Sequence, residues 1–354
     1  MNKKIKVLHV LKSSIYSGAE NVAITIINHL DKNYESAYLA TNGEIEAILK
    51  KNEISYFLLN KYTRNNISKV IKNYQPDIVH AHDFSATVFC ATIPGSFHLI
   101  SHIHYDPPWV QYWNLRTITY NYFNKRIDKV LTVSTSMFKN MVFADKFIDK
   151  VSVVKNPIDI ENIKQKANIE LPSDKSMIDI IYVGRFVEQK DPQRFIRIIQ
   201  ELKNKGLSKL NCVMLGDGEL LGECKKIVHE SRLDDTIQFL GFQQNPYTFM
   251  KNSKLLCITS RWEGYGLVIA EANILEIPVL STKTSGACEI LGDESWEMCE
   301  NDIEFVEKAL RLFTDQLQYK IIKEAAIKRA ENFVNVEDYI STISSIYKNE
   351  VDNP

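Results

Sequence analysis

The chain contains 354 residues, of which 45% are apolar and 25% are charged, and this composition excludes a disordered or fibrous protein. Its longest weakly polar run, residues 86–100, is too short to cross a bilayer and is interrupted by Pro94, Gly95 and His98. The basic N-terminus has no small-residue cleavage site, and the six cysteines form no Cys-x-x-Cys pair. We therefore expect a cytoplasmic protein of about two domains, without a membrane span, a disulfide framework or a zinc site.

Charge is distributed unevenly along the chain. Residues 1–157 contain 19 Lys and Arg against 12 Asp and Glu, whereas the remainder contains 24 against 32. A basic half favours an anionic surface or substrate, such as a phospholipid face or a pyrophosphate-linked molecule, although a solvated face with a chance imbalance explains it equally well. Nucleic acid is not expected as a partner, because the basic residues form no recognisable binding motif.

Short β-branched runs alternate with segments of helical period in the first half of the chain. A helix is predicted at residues 19–30, because its apolar residues, among them Val22 and Ile26, share one stripe. The predicted strands are residues 5–11, 36–41, 77–82, 99–103, 130–134 and 151–154. This alternation is typical of an open parallel sheet with helices on both faces.

A second series of strands follows a polar stretch, residues 161–175, that is predicted to link two domains. These strands are residues 177–183, 211–215, 236–240, 254–259 and 277–281. The tail, residues 325–350, is helical by period and is expected to pack back on the first domain. We predict two doubly wound α/β domains, namely residues 1–160 with a C-terminal helix at about 333–354, and residues 175–332.

Two basic residues follow the first strand of the second series. Arg185 comes directly after Gly184 at the strand end, and Lys190 stands just before a predicted helix. Two fixed cations at a strand end can pair with the two charges of a diphosphate. Two surface cations in a loop are the alternative, and the pair taken alone favours that alternative.

A glycine turn at Gly216 and Gly218 follows the next strand. It lets backbone N–H groups approach a ligand, but Leu221 stands where a dinucleotide fingerprint has its third glycine. A dinucleotide fold is therefore disfavoured, and a plain tight turn is an equally good interpretation.

The most informative segment, residues 259–272, joins a strand to a helix through Gly264 and Gly266. Backbone N–H groups at a helix N-terminus favour an anion, and Glu263 and Glu271 are placed to accept hydrogen bonds from two sets of hydroxyls. A solvated Glu271 is hard to sustain, because its neighbours are apolar and an unpaired carboxylate there is costly.

The two glutamates form an E-x7-E pattern which, with Gly184-Arg185, Lys190 and Leu240-Gly241, resembles the donor site of retaining glycosyltransferases of the GT4 family, also called group 1 glycosyltransferases. Residues 17–20 (Ser-Gly-Ala-Glu) and 156–159 (Asn-Pro-Ile-Asp) resemble N-domain landmarks of that family. The resemblance covers most of the chain. It implies the GT-B fold, with two Rossmann-like domains facing a cleft, a nucleotide-sugar donor in the C-terminal domain and an acceptor mainly in the N-terminal one.

Roles follow from the resemblance residue by residue. Arg185 and Lys190 would bind the diphosphate and stabilise the leaving group, Glu263 would contact the donor sugar, and Glu271 the ribose. Leu240, Gly241 and Phe242 would lie beside the base. The remaining implied donor contacts are Gly18, Gly184, Gly216, Gly264, Tyr265, Gly266, Leu267 and Val268.

A histidine follows a strand of the first half and matches the family's histidine near the reacting sugar. This residue, His104, would donate a hydrogen bond to a sugar hydroxyl or a phosphate, although His80, His82 and His102 lie close in sequence and a structural role is the alternative. Together the four histidines could form a metal cluster. No metal or other cofactor is expected, because the family does not need one and the chain has no Asp-x-Asp.

Three positions depart from the family pattern. Ser17 replaces a glycine of the first loop, Glu276 stands where a glycine usually precedes Ile277, and Ser285 replaces the first member of a Gly-Gly pair. The last change leaves the identity of the donor sugar open.

Aromatic and basic residues alternate over residues 109–129, which suits contact with an anionic membrane, although burial of the aromatic rings in the core is an equal alternative. We expect a retaining enzyme of surface polysaccharide biosynthesis that transfers a hexosyl or N-acetylhexosaminyl group from a UDP-sugar to a saccharide acceptor. If the protein contacts a membrane, a lipid-linked saccharide is the expected acceptor. A sugar-nucleotide epimerase of the same fold and a non-catalytic nucleotide-sugar sensor are the alternatives.

Overall fold

The computed structural model describes residues 4–169 and 177–352. The chain forms two compact units: unit 1 comprises Met1–Pro157 with Val334–Pro354, and unit 2 comprises Ile158–Phe333. Each unit is an α/β domain built on one parallel sheet.

The strands are β1 (Ile5–Val10), β2 (Tyr34–Thr41), β3 (Tyr56–Leu59), β4 (Ile78–His82), β5 (His98–Ile103), β6 (Lys129–Thr132), β7 (Val151–Val153), β8 (Ile178–Val183), β9 (Cys212–Leu215), β10 (Ile237–Gly241), β11 (Ser253–Ile258), β12 (Val279–Thr282) and β13 (Met298–Cys299). The α-helices are α1 (Gly18–His29), α2 (Ile45–Lys51), α3 (Arg64–Tyr74), α4 (Asp83–Ala91), α5 (Leu115–Tyr122), α6 (Thr135–Lys139), α7 (Ile160–Ala167), α8 (Pro192–Asn204), α9 (Leu221–Glu230), α10 (Tyr247–Lys251), α11 (Leu267–Ile274), α12 (Ser285–Leu291), α13 (Asp302–Thr314), α14 (Gln316–Ala330) and α15 (Val336–Asp352).

The sheet of unit 1 has seven strands in the order β3-β2-β1-β4-β5-β6-β7. Its strands are largely buried, as expected for a parallel sheet with helices on both faces. Helix α15 completes the core of this unit, because Tyr339, Ile343 and Tyr347 pack with Val7 and Ile78 of the central strands. The C-terminal helix thus belongs to the fold of unit 1.

The sheet of unit 2 has six strands in the order β10-β9-β8-β11-β12-β13. Its main core cluster joins residues of β8 and β9 to the apolar face of α8, where Phe195, Ile196 and Ile199 are fully buried. Asp191 caps α8 by accepting a hydrogen bond from the Arg194 backbone N–H.

All the predicted strands are present, with boundaries shifted by at most two residues. The sequence interpretation missed β3 and β13, which contain four and two residues. Such short runs carry too little alternation to stand out from their neighbours.

The predicted linker is wrong over part of its length, because residues 160–167 form α7. Asp159 caps this helix, and Ile163 and Ala167, one turn apart, are both buried. The polar residues that suggested a linker are the exposed face of an amphipathic helix. Residues 170–175 of the predicted linker lie outside the described residues.

The predicted C-terminal helix at about 333–354 is present as α15 (Val336–Asp352), but the helical period over residues 325–350 is interrupted, because α14 ends at Ala330. Asn335 accepts a hydrogen bond from the backbone N–H of Asp338 at 2.8 Å, so a new helix start lies inside the periodic segment. Over residues 4–169 and 177–352, every helix is too short or too polar to span a bilayer.

Candidate active site

The direction in which the chain adds strands to the sheet of unit 2 reverses at β8. The chain proceeds from β8 through β9 to β10 on one side and then returns to place β11 on the other side of β8. Ligands of doubly wound sheets bind at such a switch point, beyond the carboxyl ends of the strands. The loops that follow β8 and β11 carry Arg185, Lys190 and Glu263, so the structure brings these three predicted site residues to one place.

Hydrogen bonds join the two loops. The Arg261 backbone N–H donates to the Gln189 carbonyl at 2.8 Å, and the Gln189 side chain donates to the Trp262 carbonyl at 3.1 Å. The Thr259 hydroxyl lies 3.0 Å from the Lys190 carbonyl and 2.9 Å from that of Asp191. These bonds fix the backbone on both sides of the switch point.

Lys190 and Glu263 form an ion pair across the switch point. The Ser260 hydroxyl donates a second hydrogen bond to the same oxygen of Glu263, at 2.8 Å. The side chains of Lys190 and Glu263 are only 19% and 11% exposed. A carboxylate held this far from water requires such donors, and the lysine is thereby held in a defined position.

Arg185 supplies a second cation at the same strand end. Its side chain is exposed, and its guanidinium donates to the Gln189 side-chain oxygen at 3.2 Å. Gln189 therefore contacts both the cation after β8 and the loop after β11. A planar donor group that remains accessible is suited to a phosphate.

Glu271 lies on α11, just after the glycine-containing loop. The Tyr247 hydroxyl donates to its carboxylate at 3.1 Å. Burial raises the pKa of Glu271 to about 7, although the Tyr247 hydrogen bond and the charge of Lys190 act in the opposite direction. This side chain can therefore change protonation state near neutral pH.

Two glycines are required by close backbone contacts in this site. A Cβ on Gly216, whose φ is +135°, would lie 1.9 Å from the Gly184 carbonyl oxygen, so the glycine allows the loops after β8 and β9 to touch. A Cβ on Gly286 would lie 2.7 Å from the Tyr265 carbonyl carbon. The Gly286 N–H also donates to the Glu263 carbonyl at 2.8 Å, so this residue supports the loop that carries Glu263.

The other predicted donor contacts are distributed around the same sheet edge. Leu240 and Gly241 end β10, and Phe242 after them is 72% exposed. Gly264 and Tyr265 are buried in the loop, and Gly266 caps the helix that begins with Leu267 and Val268. Gly18 lies in unit 1, where it begins α1.

The sheet of unit 1 has its own switch point, between β1 and β4. A cavity of about 480 Å³ opens there, lined by residues 11–15 after β1 and by His82, Asp83 and Tyr105. Asp83 has a φ of +71° and accepts a hydrogen bond from the His104 backbone N–H at 3.1 Å. Burial, with a contribution from the charge of Glu20, raises the pKa of Asp83 to about 7.

Five histidines share one face of the unit 1 sheet, and we call them the histidine row: His9, His80, His82, His102 and His104. His9 is paired with His80 in the register of β1 and β4, and His82 with His102 in that of β4 and β5. All five are buried, His104 being the most exposed at 9%. Side chains two positions apart on a strand lie on the same face of the sheet. The apolar side chains of this face are therefore followed by imidazole rings toward the carboxyl edge.

Within the described residues, ring nitrogens converge in two groups of three, each within 4.8 Å: His9 with His80 and His82, and His82 with His102 and His104. Burial lowers the pKa of every ring of the row. Neutral imidazoles are the form that binds a metal, and the expected absence of a metal stays a prediction.

Sequence reasoning missed several residues of these sites. Ser260, three positions before Glu263, could have been found from its place in the same loop. Tyr247 and Asp83 carry no local signal, because Tyr247 is 24 positions from Glu271 and Asp83 is 21 from His104. The cost of an unpaired carboxylate at Glu271 did predict that some partner exists.

Two doubly wound parallel domains of this kind define the GT-B fold. Along 98% of this chain and 100% of the other, the structure matches an Anabaena protein, HepE, crystallised in complex with UDP-glucose, with a TM-score of 0.83 and 19% identity. The predicted fold class is confirmed.

Family models identify the chain more specifically. Residues 16–162 match the model of Glycosyltransferase Family 4, and residues 162–329 match that of Glycosyl transferases group 1. Together the two models cover most of the chain, which therefore belongs to the GT4 family of group 1 glycosyltransferases, as the sequence resemblance predicted. The protein is a glycosyltransferase.

Curated relatives carry related names. An uncharacterized glycosyltransferase of Methanocaldococcus jannaschii is 28% identical over 304 residues, which are 76% of this chain and 74% of the relative. A Campylobacter jejuni relative, N-acetylgalactosamine-N,N'-diacetylbacillosaminyl-diphospho-undecaprenol 4-alpha-N-acetylgalactosaminyltransferase, is 30% identical over 192 residues, which are 53% of this chain and 51% of the relative.

Proposed function

We propose that the protein is a retaining glycosyltransferase that moves a sugar from a UDP-sugar to a lipid-linked saccharide in surface polysaccharide biosynthesis, without a metal or other cofactor. The observation that carries this proposal is the Lys190–Glu263 ion pair beside Arg185 at the switch point of unit 2. The Anabaena complex with UDP-glucose supports the choice of donor. The diphospho-undecaprenol in the name of the Campylobacter relative supports the choice of acceptor.

In this proposal Lys190 exchanges partners when the donor binds. Its ammonium turns from Glu263 to the diphosphate, where Arg185 supplies the second cation. Glu263 then becomes available to accept hydrogen bonds from hydroxyls of the transferred sugar, while it keeps the hydrogen bond that the Ser260 hydroxyl donates. Charge developing on the leaving diphosphate is stabilised by cations already in place.

Glu271 is assigned to the ribose hydroxyls. Its carboxyl is near half ionised at pH 7, because its pKa is raised to about 7. Hydroxyl donors favour the ionised form, so donor binding at pH 7 is accompanied by release of part of a proton from this group.

Transfer itself needs few protein groups. We assign to His104 a hydrogen bond to the transferred sugar, and to the backbone of residues 265–268 contacts with sugar and phosphate. The acceptor hydroxyl attacks the anomeric carbon from the face that the diphosphate leaves, and the departing phosphate oxygen takes the hydroxyl proton. The new glycosidic bond therefore keeps the configuration of the broken one.

Donor binding is tested by thermal unfolding with UDP, GDP and ADP on the wild type and on the double variant Arg185→Ala/Lys190→Ala. A ligand at 100 times its dissociation constant stabilises a protein by about 2.7 kcal/mol. We expect UDP alone to raise the midpoint, and the double variant to lose that rise. The matched control is Lys225→Ala/Lys226→Ala on α9, which should keep it. A response to GDP or ADP instead of UDP contradicts the proposed donor.

Turnover separates the proposal from its alternatives. UDP-sugars are incubated with the enzyme, with and without a detergent extract of undecaprenyl-diphosphate saccharides, and the product is analysed by mass spectrometry and by NMR of the new anomeric centre. We expect an acceptor-dependent glycoside with retained configuration. An epimerase would release UDP and a changed sugar without acceptor, a sensor would return the donor intact, and inversion would refute the retaining mechanism.

A lipid-linked acceptor requires contact with a membrane, and we assign that contact to the surface around α5. Exposed apolar side chains cluster there: Tyr112, Trp113, Leu115, Ile118 and Tyr122, at 53–81% exposure. Thr117 and Tyr120 form the buried face of the same helix, and Arg116 and Lys125 are exposed beside it. An exposed aromatic and aliphatic patch flanked by cations matches an anionic membrane interface.

Co-sedimentation with vesicles tests this surface. We expect binding to vesicles that contain phosphatidylglycerol, weakening with salt, and little binding to pure phosphatidylcholine. Trp113→Ser/Tyr122→Ser should abolish the binding without changing UDP binding. The control Ile303→Ser/Leu317→Ser removes two equally exposed apolar residues of unit 2 and should retain it. Equal sedimentation of both double variants would exclude this surface.

A further inference from the structure

Three rings of the histidine row form one hydrogen-bonded chain. His9 Nδ1 lies 3.1 Å from His82 Nε2, and His82 Nδ1 lies 2.8 Å from His104 Nε2. The outer nitrogens, His9 Nε2 and His104 Nδ1, are buried and have no hydrogen-bond partner among the described residues. We call this arrangement the His9–His82–His104 chain.

The rings of this chain are neutral at physiological pH. Burial lowers the pKa of His9 and His104 to about 3, and that of His82 well below its usual value. A neutral imidazole carries one N–H donor and one acceptor nitrogen. Each ring must therefore donate to one neighbour and accept from the other, so the whole chain has one of two directions.

The two directions differ in where an N–H is left without an acceptor. If His104 donates to His82, the open N–H lies at His9 Nε2, on a residue that is fully buried in the sheet. If His9 donates to His82, the open N–H lies at His104 Nδ1, on the most exposed residue of the row. Either direction leaves one buried N–H without an acceptor among the described residues of the free protein. A ligand can supply the missing acceptor only at His104, which adjoins the cavity residues Asp83 and Tyr105, and not at His9 within the sheet, so the second direction is favoured.

We propose that His82 is a positioning residue that fixes His104 as the Nδ1–H tautomer, so that His104 presents a hydrogen-bond donor to an oxygen of the substrate. This inference rests on the proposed function in assigning a substrate contact to His104. It also limits that role: with Nε2 occupied by His82 and Nδ1 carrying the proton, His104 cannot serve as the base that deprotonates the acceptor hydroxyl. That assignment agrees with proton transfer to the departing phosphate.

A metal ion is the other use of such a cluster. The rings of His82, His102 and His104 are nearly parallel, with angles of 10° to 31° between their planes. Rings whose planes are nearly parallel can be joined edge to edge by an N–H···N bond, because the N–H and the lone pair both lie in the ring plane. The 2.8 Å between His82 Nδ1 and His104 Nε2 is such a hydrogen-bond distance, and it is shorter than the roughly 3.3 Å that separates two nitrogens bound to one tetrahedral metal. The geometry therefore favours a hydrogen-bonded chain of neutral rings.

The tautomer is measured directly by two-bond 1H–15N correlation on the full-length protein labelled with 15N-histidine, the His104 signals being assigned by their loss in His104→Gln. We expect a protonated Nδ1 and an unprotonated Nε2 in the wild type. His82→Asn retains an amide donor near the position of Nδ1 and should preserve this state, whereas His82→Leu should allow the other tautomer. The control Tyr347→Phe removes the hydroxyl that contacts His80, outside the chain, and should leave His104 unchanged.

Kinetics distinguish positioning from folding. We expect His82→Leu to lower kcat about tenfold with little change in the KM for the donor, and His82→Asn to recover most of the loss. A wild-type His104 protonated at Nε2, or one that does not respond to His82→Leu, overturns the inference. If stoichiometric Zn²⁺ shifts the ring signals of His82, His102 and His104 together, the inference is overturned in favour of a metal site. If the tautomers behave as expected but His104→Gln keeps full turnover, the positioning inference stands and the assigned role of His104 fails.

Discussion

The two units have the same kind of switch point but fill it with different chemistry. In unit 2 the loops after β8 and β11 place an arginine, a lysine and a glutamate together, and the ions pair at the edge of the sheet. In unit 1 the strands β1, β4 and β5 place five imidazoles together, and burial keeps them neutral. Topology therefore decides where polar groups collect, whereas an opposite charge within reach decides whether a buried group stays ionised, since Glu263 is as buried as His104 but is paired with Lys190.

One feature is common to both switch points. Each holds a carboxyl whose pKa burial raises to about 7: Asp83 in unit 1 and Glu271 in unit 2. Asp83 accepts from a backbone N–H, and Glu271 accepts from the Tyr247 hydroxyl. Replacing each carboxyl by an amide, in Asp83→Asn and Glu271→Gln, removes the same kind of ionisation from both sites, so the two variants can be compared directly.

The largest expected effect comes from Gly286→Ala, which tests whether the charged site depends on its loop. The added Cβ would lie 2.7 Å from the Tyr265 carbonyl carbon and 3.0 Å from the Glu263 Cβ, so the loop must move. We expect a loss of about 2 kcal/mol in stability and at least about tenfold weaker UDP binding, measured by chemical unfolding and calorimetry.

Gly222→Ala is the matched control. A Cβ there meets no atom within 4 Å, and the residue lies in α9, so alanine should stabilise unit 2 slightly and leave UDP binding intact. Equal UDP affinity in the two variants would show that the loop around Glu263 does not depend on Gly286.

Asp83→Asn tests the carboxyl of unit 1. The pKa of Asp83 is higher in the folded protein, about 7, than its ordinary value of 3.8. The folded state therefore binds more protons between these values, and stability falls as the pH rises through that window. We expect the asparagine variant to gain on the order of 2 kcal/mol over wild type at pH 8, and much less at pH 5, by chemical unfolding.

Asp149→Asn, which changes an exposed carboxylate of unit 1, is the control and should show no such difference. If Asp83→Asn follows the wild-type pH dependence, the neutral character assigned to this switch point is wrong.

Glu271→Gln makes the corresponding test in unit 2, with a smaller effect. The pKa is raised from 4.5 to about 7, so stability again falls as the pH rises between these values. Glutamine can still accept from Tyr247, and we expect a gain of on the order of 1 kcal/mol at pH 8 together with weaker UDP binding. Unfolding at pH 5 and pH 8 measures the first effect and calorimetry the second.

Glu307→Gln, at an exposed position of α13, is the control for Glu271. A variant that gains stability but binds UDP as tightly as wild type would remove Glu271 from the donor site.

The smallest expected effect is at Glu276, where the family usually has a glycine. Glu276 has a φ of +61° after the end of α11, and the Ile277 N–H donates back to the Ala272 carbonyl, as at a glycine helix end. Glu276→Gly should raise stability by about 0.5 kcal/mol, because relief of the left-handed strain exceeds the added chain entropy. Glu276→Ala loses the same exposed ion pair with Lys323 but keeps the strain, so it should not raise the unfolding midpoint.

Much of the fold could be predicted from the sequence, because buried parallel strands are continuous apolar runs that local reading detects. Residues 161–167 were misassigned because their polar face suggested a linker, while Ile163 and Ala167 become buried only when α7 packs against α10 and α11 of unit 2. The charged site was predicted in part: Arg185, Lys190, Glu263 and Glu271 stand in a recognisable spacing. Tyr247 lies too far from Glu271 along the chain to be identified as its partner. The position of Gly286 was recognised as part of a glycine pair, but its support of the loop that carries Glu263 was not.

Local pattern and spacing were enough to identify the alternation of strands and helices, the family resemblance and the residues at each strand end. Which of those residues meet depends on how the strands are ordered in the sheets. Strand order placed Lys190 against Glu263 and aligned His9, His82 and His104 across three strands. Burial then set their protonation, since removing water disfavours charge unless a partner compensates it, and that balance depends on contacts between distant parts of the chain.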